Sequence, residues 1–435
     1  MTEKKKTIKK VAAKTKKTVR KTTARKASAA GATVKKPAKK AALATKTRKK
    51  PAVKPIVKKT AKKSAVGTKT RKKAVGKAAA TKAKKKTAAP APEKLQWEEI
   101  YEMEIVTRAR WWNRNRDVGT IAGINRRMAF GGYQDVIRDA DRAYESAIWK
   151  IAGEILGRRD KIRLVIVAGP SSSGKTTTTL KLCEALRAMG EDLVILPMDN
   201  YFWNLKDQPQ DEHGDHNFES PEALDIKTIN KNLNDLLAGK EASIPVYDFK
   251  SGQRKKERKK LQLKEGQLLV IEGLHAFHAP MTAGIPADSQ FRVYIETICQ
   301  LQDQDYNFVP WTDLRLLRRM VRDNLHRNYT PMKTLGHWHY VRESEKEYIV
   351  PFIGEAEAVV NGYLPYELPV YKKYLYEPLK EAVENYADQT GREDAYRRAL
   401  RCLSYLEEID ELEDDSIISP TSLIREFIGG SVYKY

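Results

Sequence analysis

The sequence predicts an α/β fold: a parallel sheet flanked by helices, with a phosphate-binding loop at a strand end. Three observations lead there. Residues 169–176 read Gly-Pro-Ser-Ser-Ser-Gly-Lys-Thr, which fits G-x-x-x-x-G-K-[ST]. The apolar run Leu164, Val165, Ile166, Val167, Ala168 stands immediately before it and has the length of a buried strand. Two more short apolar runs, 193–196 and 267–273, alternate with helix-like stretches, the pattern of βαβ units.

In chain order the first element is a basic tail. Residues 1–92 hold 34 lysines and arginines against a single acid, Glu3, so this segment carries +33, and the overall +25 leaves −8 for residues 93–435. The tail has no aromatic residue and cannot bury enough apolar surface to offset its ordering entropy, so it is expected to be disordered when alone. Thr45-Lys46-Thr47-Arg48-Lys49-Lys50 recurs unchanged from Thr68 to Lys73, a mark of low-complexity expansion. Charge of one sign at this density points to nucleic acid as a partner, held through the phosphate backbone. A solubilising or targeting extension is the alternative, with organelle import as a variant of it.

An Ala-Pro cluster at residues 88–92 ends the tail, and aromatics begin at Trp97. Residues 93–160 read as a helical lead-in. Within it Val136, Ile137, Ala140, Tyr144, Ala147, Ile148, Ile151 and Ile155 recur at helical spacing, predicting an amphipathic helix over 133–156 that packs on the following domain. That domain spans residues 161–435 and ends in a helical part.

In the loop, Gly169 and Gly174 let the backbone curl so that successive N–H groups face one anion. Ser171, Ser172, Ser173 and Thr177 complete the nucleotide-binding set. Lys175 adds a point charge near the outer phosphates, and Thr176 offers a hydroxyl to magnesium. A nucleoside triphosphate, ATP with Mg²⁺, is the expected ligand. A helix-like run with Leu180, Leu182 and Leu186 follows.

The next two strands end in carboxylates. Asp199 follows the run 193–196 and Glu272 closes the run 267–273, so both fall at strand carboxyl ends, where ligands collect in such sheets. Glu272 is assigned to the metal, directly or through water. Asp199 is assigned as the base that orients an acceptor hydroxyl and takes its proton. Downstream, Arg315, Arg319 and Arg322 share one helical face. Arg319, Arg322 and Arg327 are expected to offset charge developing during phosphoryl transfer, whereas Arg315 and Arg318 are read as a solvated basic face. His213, His216, His275, His278, His337 and His339 form no complete zinc ligand set. Cys183, Cys299 and Cys402 are too few and too scattered for a disulfide framework, which fits a reducing, cytoplasmic setting, with association to the nucleoid through the tail. No apolar stretch reaches membrane-span length, so no membrane partner is expected.

Together, Ala168-Gly169-Pro170-Ser171-Ser172-Ser173-Gly174-Lys175-Thr176-Thr177, Met198-Asp199-Asn200-Tyr201, Asn217-Phe218-Glu219-Ser220-Pro221, Pro245-Val246-Tyr247-Asp248-Phe249 and Ile271-Glu272-Gly273 resemble the phosphoribulokinase and uridine kinase family. The likeness is to bacterial uridine kinase-like nucleoside kinases that often carry an N-terminal TGS domain. It runs from about Ile124 to the closing Leu423-Ile424-Arg425-Glu426-Phe427-Ile428-Gly429-Gly430-Ser431. No TGS domain is evident, and the basic tail stands in that place; the tail's own texture resembles lysine-rich linker-histone tails. The resemblance implies a P-loop NTPase sheet with a lid, ATP and Mg²⁺ as cofactors, Arg319, Arg322 and Arg327 at lid or phosphate-contacting positions, and an acceptor pocket of Tyr201, Glu219 and Tyr247. This chain departs from it at Glu219, where Asp is usual, at Gly252, where a base-reading His is usual, and at Tyr329, which replaces a lid Arg.

The activity expected is ATP-dependent phosphorylation of a small-molecule hydroxyl, the 5′-OH of a nucleoside. Another sugar or sugar phosphate, ribulose 5-phosphate included, is the second reading. A nucleoid-binding protein with an ATP-sensing domain is the third; a GTPase version of it lacks Asn-Lys-x-Asp, because the stretch from Asn230 reads Asn-Lys-Asn-Leu.

The charge partition generates a first test. Deleting residues 1–92 should leave kinase activity and stability in place and abolish retention on polyanions. The intact chain should bind duplex DNA with little sequence preference, its log affinity falling by about 0.9 per neutralised phosphate for each unit of log salt. Salt-insensitive binding, or equal binding by the truncated chain, would refute the assignment of nucleic-acid binding to the tail.

Overall fold

Every residue of strand β1 (Leu164–Ala168) is buried, as a short apolar run is when both faces of a parallel sheet are covered. The computed structural model describes residues 103–208 and 216–434. The tail expected over 1–92, the start of structure near Trp97, and His213 lie outside the described residues.

Three helices precede β1: α1 (Met103–Asn115), α2 (Ile121–Ala129) and α3 (Tyr133–Leu156). Thr120 caps α2 by accepting from the Gly123 N–H, and α3 opens after Gly132 in a left-handed turn. The predicted apolar face of α3 is buried at Val136, Ile137, Ala140, Tyr144, Ile148, Ile151 and Ile155, with Ala147 only partly covered. It packs on the helix after the phosphate loop, α4 (Lys175–Ala188), where the Tyr144 hydroxyl lies 2.7 Å from Thr178 Oγ1.

The predicted strand at 193–196 extends one residue as β2 (Leu193–Pro197). Next comes α5 (Ile226–Leu237), whose N-cap Asp225 accepts from the Thr228 N–H at 3.1 Å. Four short strands follow and pair antiparallel: β3 (Ala242–Ile244) with β6 (Lys259–Leu261), and β4 (Tyr247–Asp248) with β5 (Gln253–Arg254). The predicted strand at 267–273 is β7 (Leu268–Gly273). Two strands that the sequence reading did not single out, β8 (Gln290–Glu296) and β9 (Ala358–Asn361), complete a five-stranded parallel sheet in the order β2-β7-β1-β8-β9. The C-terminal part is helical: α6 (Trp311–His326), α7 (Pro331–Tyr348), α8 (Glu367–Tyr386), α9 (Glu393–Glu408) and the single turn α10 (Arg425–Ile428).

Alternate residues of β1 enter two different cores. Val165 and Val167 join Ile148, Leu182 and Leu316 on one face, and Leu164, Ile166 and Ala168 join Leu196, Leu233 and Ile271 on the other. The expected parallel α/β sheet with helices on both faces is therefore what the chain forms. Its register sets the site: Val167 and Pro197 both lie opposite Glu272, and Ala168 lies opposite Gly273. The ends of β1, β2 and β7 are thus flush, so residue 169, Asp199 and Glu272 leave the sheet side by side. Among the described residues no helix is long and apolar enough to cross a membrane, and Cys183, Cys299 and Cys402 are free and buried.

Candidate active site

The loop after β1 is shaped by two residues with left-handed backbone, Ser172 (φ 59°) and Gly174 (φ 96°). A side chain at Gly169 would put its Cβ 2.4 Å from the Ile295 carbonyl, so the loop crosses the end of β8 in direct backbone contact. The carbonyls of the loop are held from behind. Arg315 Nη1 donates to Ser171 O at 3.3 Å, and Arg318 Nη1 donates to Ser172 O at 3.3 Å and Ser173 O at 2.9 Å. With the carbonyls of 171–173 engaged on that side, the curl leaves loop N–H groups to an anion on the other, apart from that of Ser173, which donates to Pro170 O at 3.2 Å. The hydroxyls of Ser172 and Ser173 are buried and have no hydrogen-bond partner among the described residues, a donor set that fits a phosphate group.

These two arginines correct the sequence reading. They were expected on a solvated face, and both are 0 % exposed. Arg315 pairs with Glu296 at 2.9 Å and with Glu345, while Arg318 makes a two-pronged pair with Glu367 at 2.7 and 2.6 Å and also donates to Gly362 O at 2.6 Å. Burial works against the charge of Arg318, but Glu367 outweighs it and holds the guanidinium protonated. The three carboxylates come from β8, α7 and α8, so local spacing gave no sign of them.

Asp199 stands in a 3₁₀ turn, Met198–Tyr201, that begins where β2 ends. Gly273 makes room for this turn, since a Cβ there would meet Met198 Cβ at 2.9 Å. None of the described residues donates a hydrogen bond to the Asp199 carboxylate. Burial raises its pKa, the charges of Lys175, Arg327 and Arg322 oppose the rise, and Glu219 adds to it. Glu272, 6 % exposed, is pushed up to about 8 by burial and by Asp199, with Lys175 in opposition. Two neighbouring carboxyls that both gain proton affinity mark a place short of positive charge, the deficit a divalent cation relieves. Glu272 and the Thr176 hydroxyl are hard oxygen donors of the kind magnesium takes. Lys175 Nζ folds over the loop, 3.2 Å from Pro170 O.

The opposite wall is cationic. Arg319, Arg322 and Arg327 surround Asp323 at 3.2, 2.9 and 3.6 Å. Arg319 also reaches Ser171 Oγ at 3.0 Å and Glu219 Oε1 at 2.7 Å. Burial and the neighbouring Arg322 lower Arg327 to about 10 despite Asp323. The fold therefore gathers Lys175, Thr176, Asp199, Glu272, Arg319, Arg322 and Arg327 around one sheet end.

The three residues assigned to an acceptor pocket separate. Tyr201 is a core residue, wholly buried, with its hydroxyl accepting from Asn232 Nδ2 at 3.0 Å, so it does not line the cleft as expected. Glu219 is buried; desolvation pushes it up, but Arg319 and His337 hold it well below the usual carboxylate range. Its immediate contact is Arg319, and its own carbonyl accepts from Ser344 Oγ at 2.5 Å and lies 2.7 Å from His275 Nε2. Tyr247 is half-buried and meets Phe202 and Phe249 at ring distances of 5.5 and 5.1 Å, with Arg327 4.9 Å above Phe249. Phe202, Phe249 and the stacked pair Phe218–His337 (4.5 Å) were given no site role in the sequence reading, since aromatics scattered along loops have no periodicity. Thr177 is engaged by Glu426, from the C-terminal segment.

The buried pair yields a test. Arg318→Met strands Glu367 in the core and should cost about 3–5 kcal/mol of unfolding free energy in urea titrations, whereas a solvated arginine would cost no more than about 0.5 kcal/mol. Arg318→Lys should recover only part of the loss, because an ammonium cannot make the two-pronged contact.

Residues 164–365 match the family described as Phosphoribulokinase / Uridine kinase family. The chain is 27% identical over 215 residues to the uridine kinase of Ligilactobacillus salivarius, a match covering 47% of this chain and 92% of that one. It is 30% identical over 197 residues to uridine-cytidine kinase-like 1 of Mus musculus, covering 45% of this chain and 32% of that one. It is 38% identical over 119 residues to an inorganic pyrophosphatase of Arabidopsis thaliana, covering 27% of this chain and 16% of that one. The family match thus spans residues 164–365, the stretch that holds the phosphate loop, Asp199, Glu272 and the cationic wall.

Proposed function

We propose that the chain is an ATP-dependent kinase that transfers a phosphoryl group to the 5′-hydroxyl of a nucleoside, in one step and without a covalent enzyme intermediate. The observation that carries this reading is the flush alignment of β1, β2 and β7, which brings the phosphate loop, Asp199 and Glu272 to one point. Asp199, to which none of the described residues donates a hydrogen bond and which is raised in proton affinity, is suited to accept the proton as the acceptor O–H bond breaks, its oxygen bonds to the γ-phosphorus, and the bond from that phosphorus to the leaving ADP oxygen breaks. Lys175 and the loop N–H groups hold the donor phosphates, and Arg319 fixes the loop through Ser171 Oγ. Arg322 and Arg327, the cations besides Lys175 that act on Asp199, supply charge where it develops. A magnesium ion held by Thr176 and Glu272 would neutralise the outer phosphates. The Phe202, Tyr247 and Phe249 cluster offers a stacking surface for a base beside Asp199.

A second reading, transfer to a sugar or sugar phosphate, is favoured by two observations. Gly252 has φ 65° and its Cβ position would lie 3.0 Å from Leu205 Cβ, so the backbone there disfavours any base-reading side chain. The cationic wall carries three guanidiniums against Asp323 and Glu219, a surplus that suits an anionic acceptor. The basic tail is a separate polyanion-binding module in either reading.

ADP release by the full chain, measured across nucleosides and sugar phosphates, separates the two. Lys175→Ala should abolish turnover while far-ultraviolet circular dichroism is unchanged; full activity would end the kinase assignment. Asp199→Asn should lower kcat by about 10² to 10⁴ with nucleotide affinity little changed. Because the base acts deprotonated, activity should fall as pH drops through an acidic limb above the usual Asp value of about 4, and the variant should lack that limb.

A further inference from the structure

The closing stretch of the sequence, residues 423–431, has no part in the reaction described above, yet it lies on the phosphate loop. Glu426 Oε2 accepts from the Thr177 N–H at 3.0 Å and from the Thr177 hydroxyl at 2.7 Å. Thr177 is in the first turn of α4, where backbone N–H groups lack helical partners and the helix dipole favours an anion. This is the part of a phosphate-loop helix that takes phosphate oxygen. Ser172 and Ser173 still present unpartnered buried hydroxyls, whereas both donors of Thr177 are already taken, and by a carboxylate.

The stretch holds that carboxylate in place. Leu423 roofs the loop so closely that a Cβ at Gly174 would meet Leu423 Cδ1 at 2.6 Å. Phe427 is buried 5.0 Å beneath Arg318, the arginine that holds the loop carbonyls. Arg425 ties the segment back through Asp415 O at 2.6 Å and Ile418 O at 2.9 Å. Beyond Ile428 the chain turns through Gly429 and Gly430, with φ 84° and 74°, left-handed backbone that glycine adopts without strain. Glu426 itself lies in a turn of only four residues and is buried. Its charge adds to the negative field at Glu272.

We propose that residues 423–428 form an intrasteric latch, in which Glu426 occupies on Thr177 the place of a nucleotide phosphate oxygen and nucleotide binding requires its release. The latch rests on the reading of the loop as a nucleoside triphosphate site. A permanent cap on α4 is the rival, and the two differ in sign: a latch competes with nucleotide, and a cap supports it.

The test titrates MgATP and MgADP calorimetrically into the full chain and its Glu426→Gln and Glu426→Ala variants. Replacing a charged by a neutral acceptor weakens the contact, so Glu426→Gln should bind nucleotide about tenfold tighter, and Glu426→Ala at least as tightly. Unchanged or weaker binding by Glu426→Gln overturns the latch while leaving the nucleotide site intact. Binding by none of the three overturns the nucleotide reading and the latch with it. A second measurement needs no variant: on saturation with MgADP, amide hydrogen exchange at 426–429 in the unaltered chain should quicken several-fold. Unchanged or slower exchange identifies Glu426 as a fixed cap and overturns the proposal.

Discussion

The contact on which the rest of this structure depends is the pair of buried guanidiniums behind the phosphate loop. Arg315 and Arg318 take the carbonyls of three successive loop residues, and each is neutralised by glutamates from elsewhere in the fold. A loop with a left-handed serine and a left-handed glycine has many competing shapes in isolation. Fixing its carbonyls selects the one in which its N–H groups converge. The same helix, α6, then carries Arg319 and Arg322 into the cleft, so loop shape and cleft charge are set by one rigid element. Burying such charges is costly unless every partner is present, which ties β8, α7 and α8 to the geometry of the site.

Charge in the cleft is divided by position. Asp199, Glu272 and Glu426 form a side short of positive charge around Lys175, while Arg319, Arg322 and Arg327 crowd around Asp323 opposite. The first side suits a cation and a proton transfer, and the second suits an anion. A phosphoryl group placed between them meets both requirements at once, and the aromatic cluster at Tyr247 borders the same space.

What was legible in the sequence was local. The loop, β1, the helix at 133–156 and the two carboxylates at strand ends announce themselves through spacing and through short apolar runs ending in a polar residue. What was not legible depends on partners far along the chain. Arg318 lies 145 residues from Ser173 and 49 from Glu367, so nothing near it says that it is buried. Tyr201 was assigned to the acceptor pocket through the family resemblance, but a 3₁₀ turn carries it into the core toward Asn232. Glu219 looked like an acceptor contact, and its nearest charge is Arg319, 100 residues on. Gly252 was noted as a departure, and only its positive φ and the Leu205 contact explain why glycine stands there.

In the proposed reaction, one sheet end joins the phosphate loop to a base, Asp199, that serves a hydroxyl acceptor. Phosphorus NMR of the full chain turning over ATP with magnesium and a saturating nucleoside tests it most directly. Transfer to a hydroxyl gives a new phosphate monoester resonance that grows in step with ADP, with inorganic phosphate a minor product. Inorganic phosphate growing alone, across nucleosides and sugar phosphates alike, would contradict it.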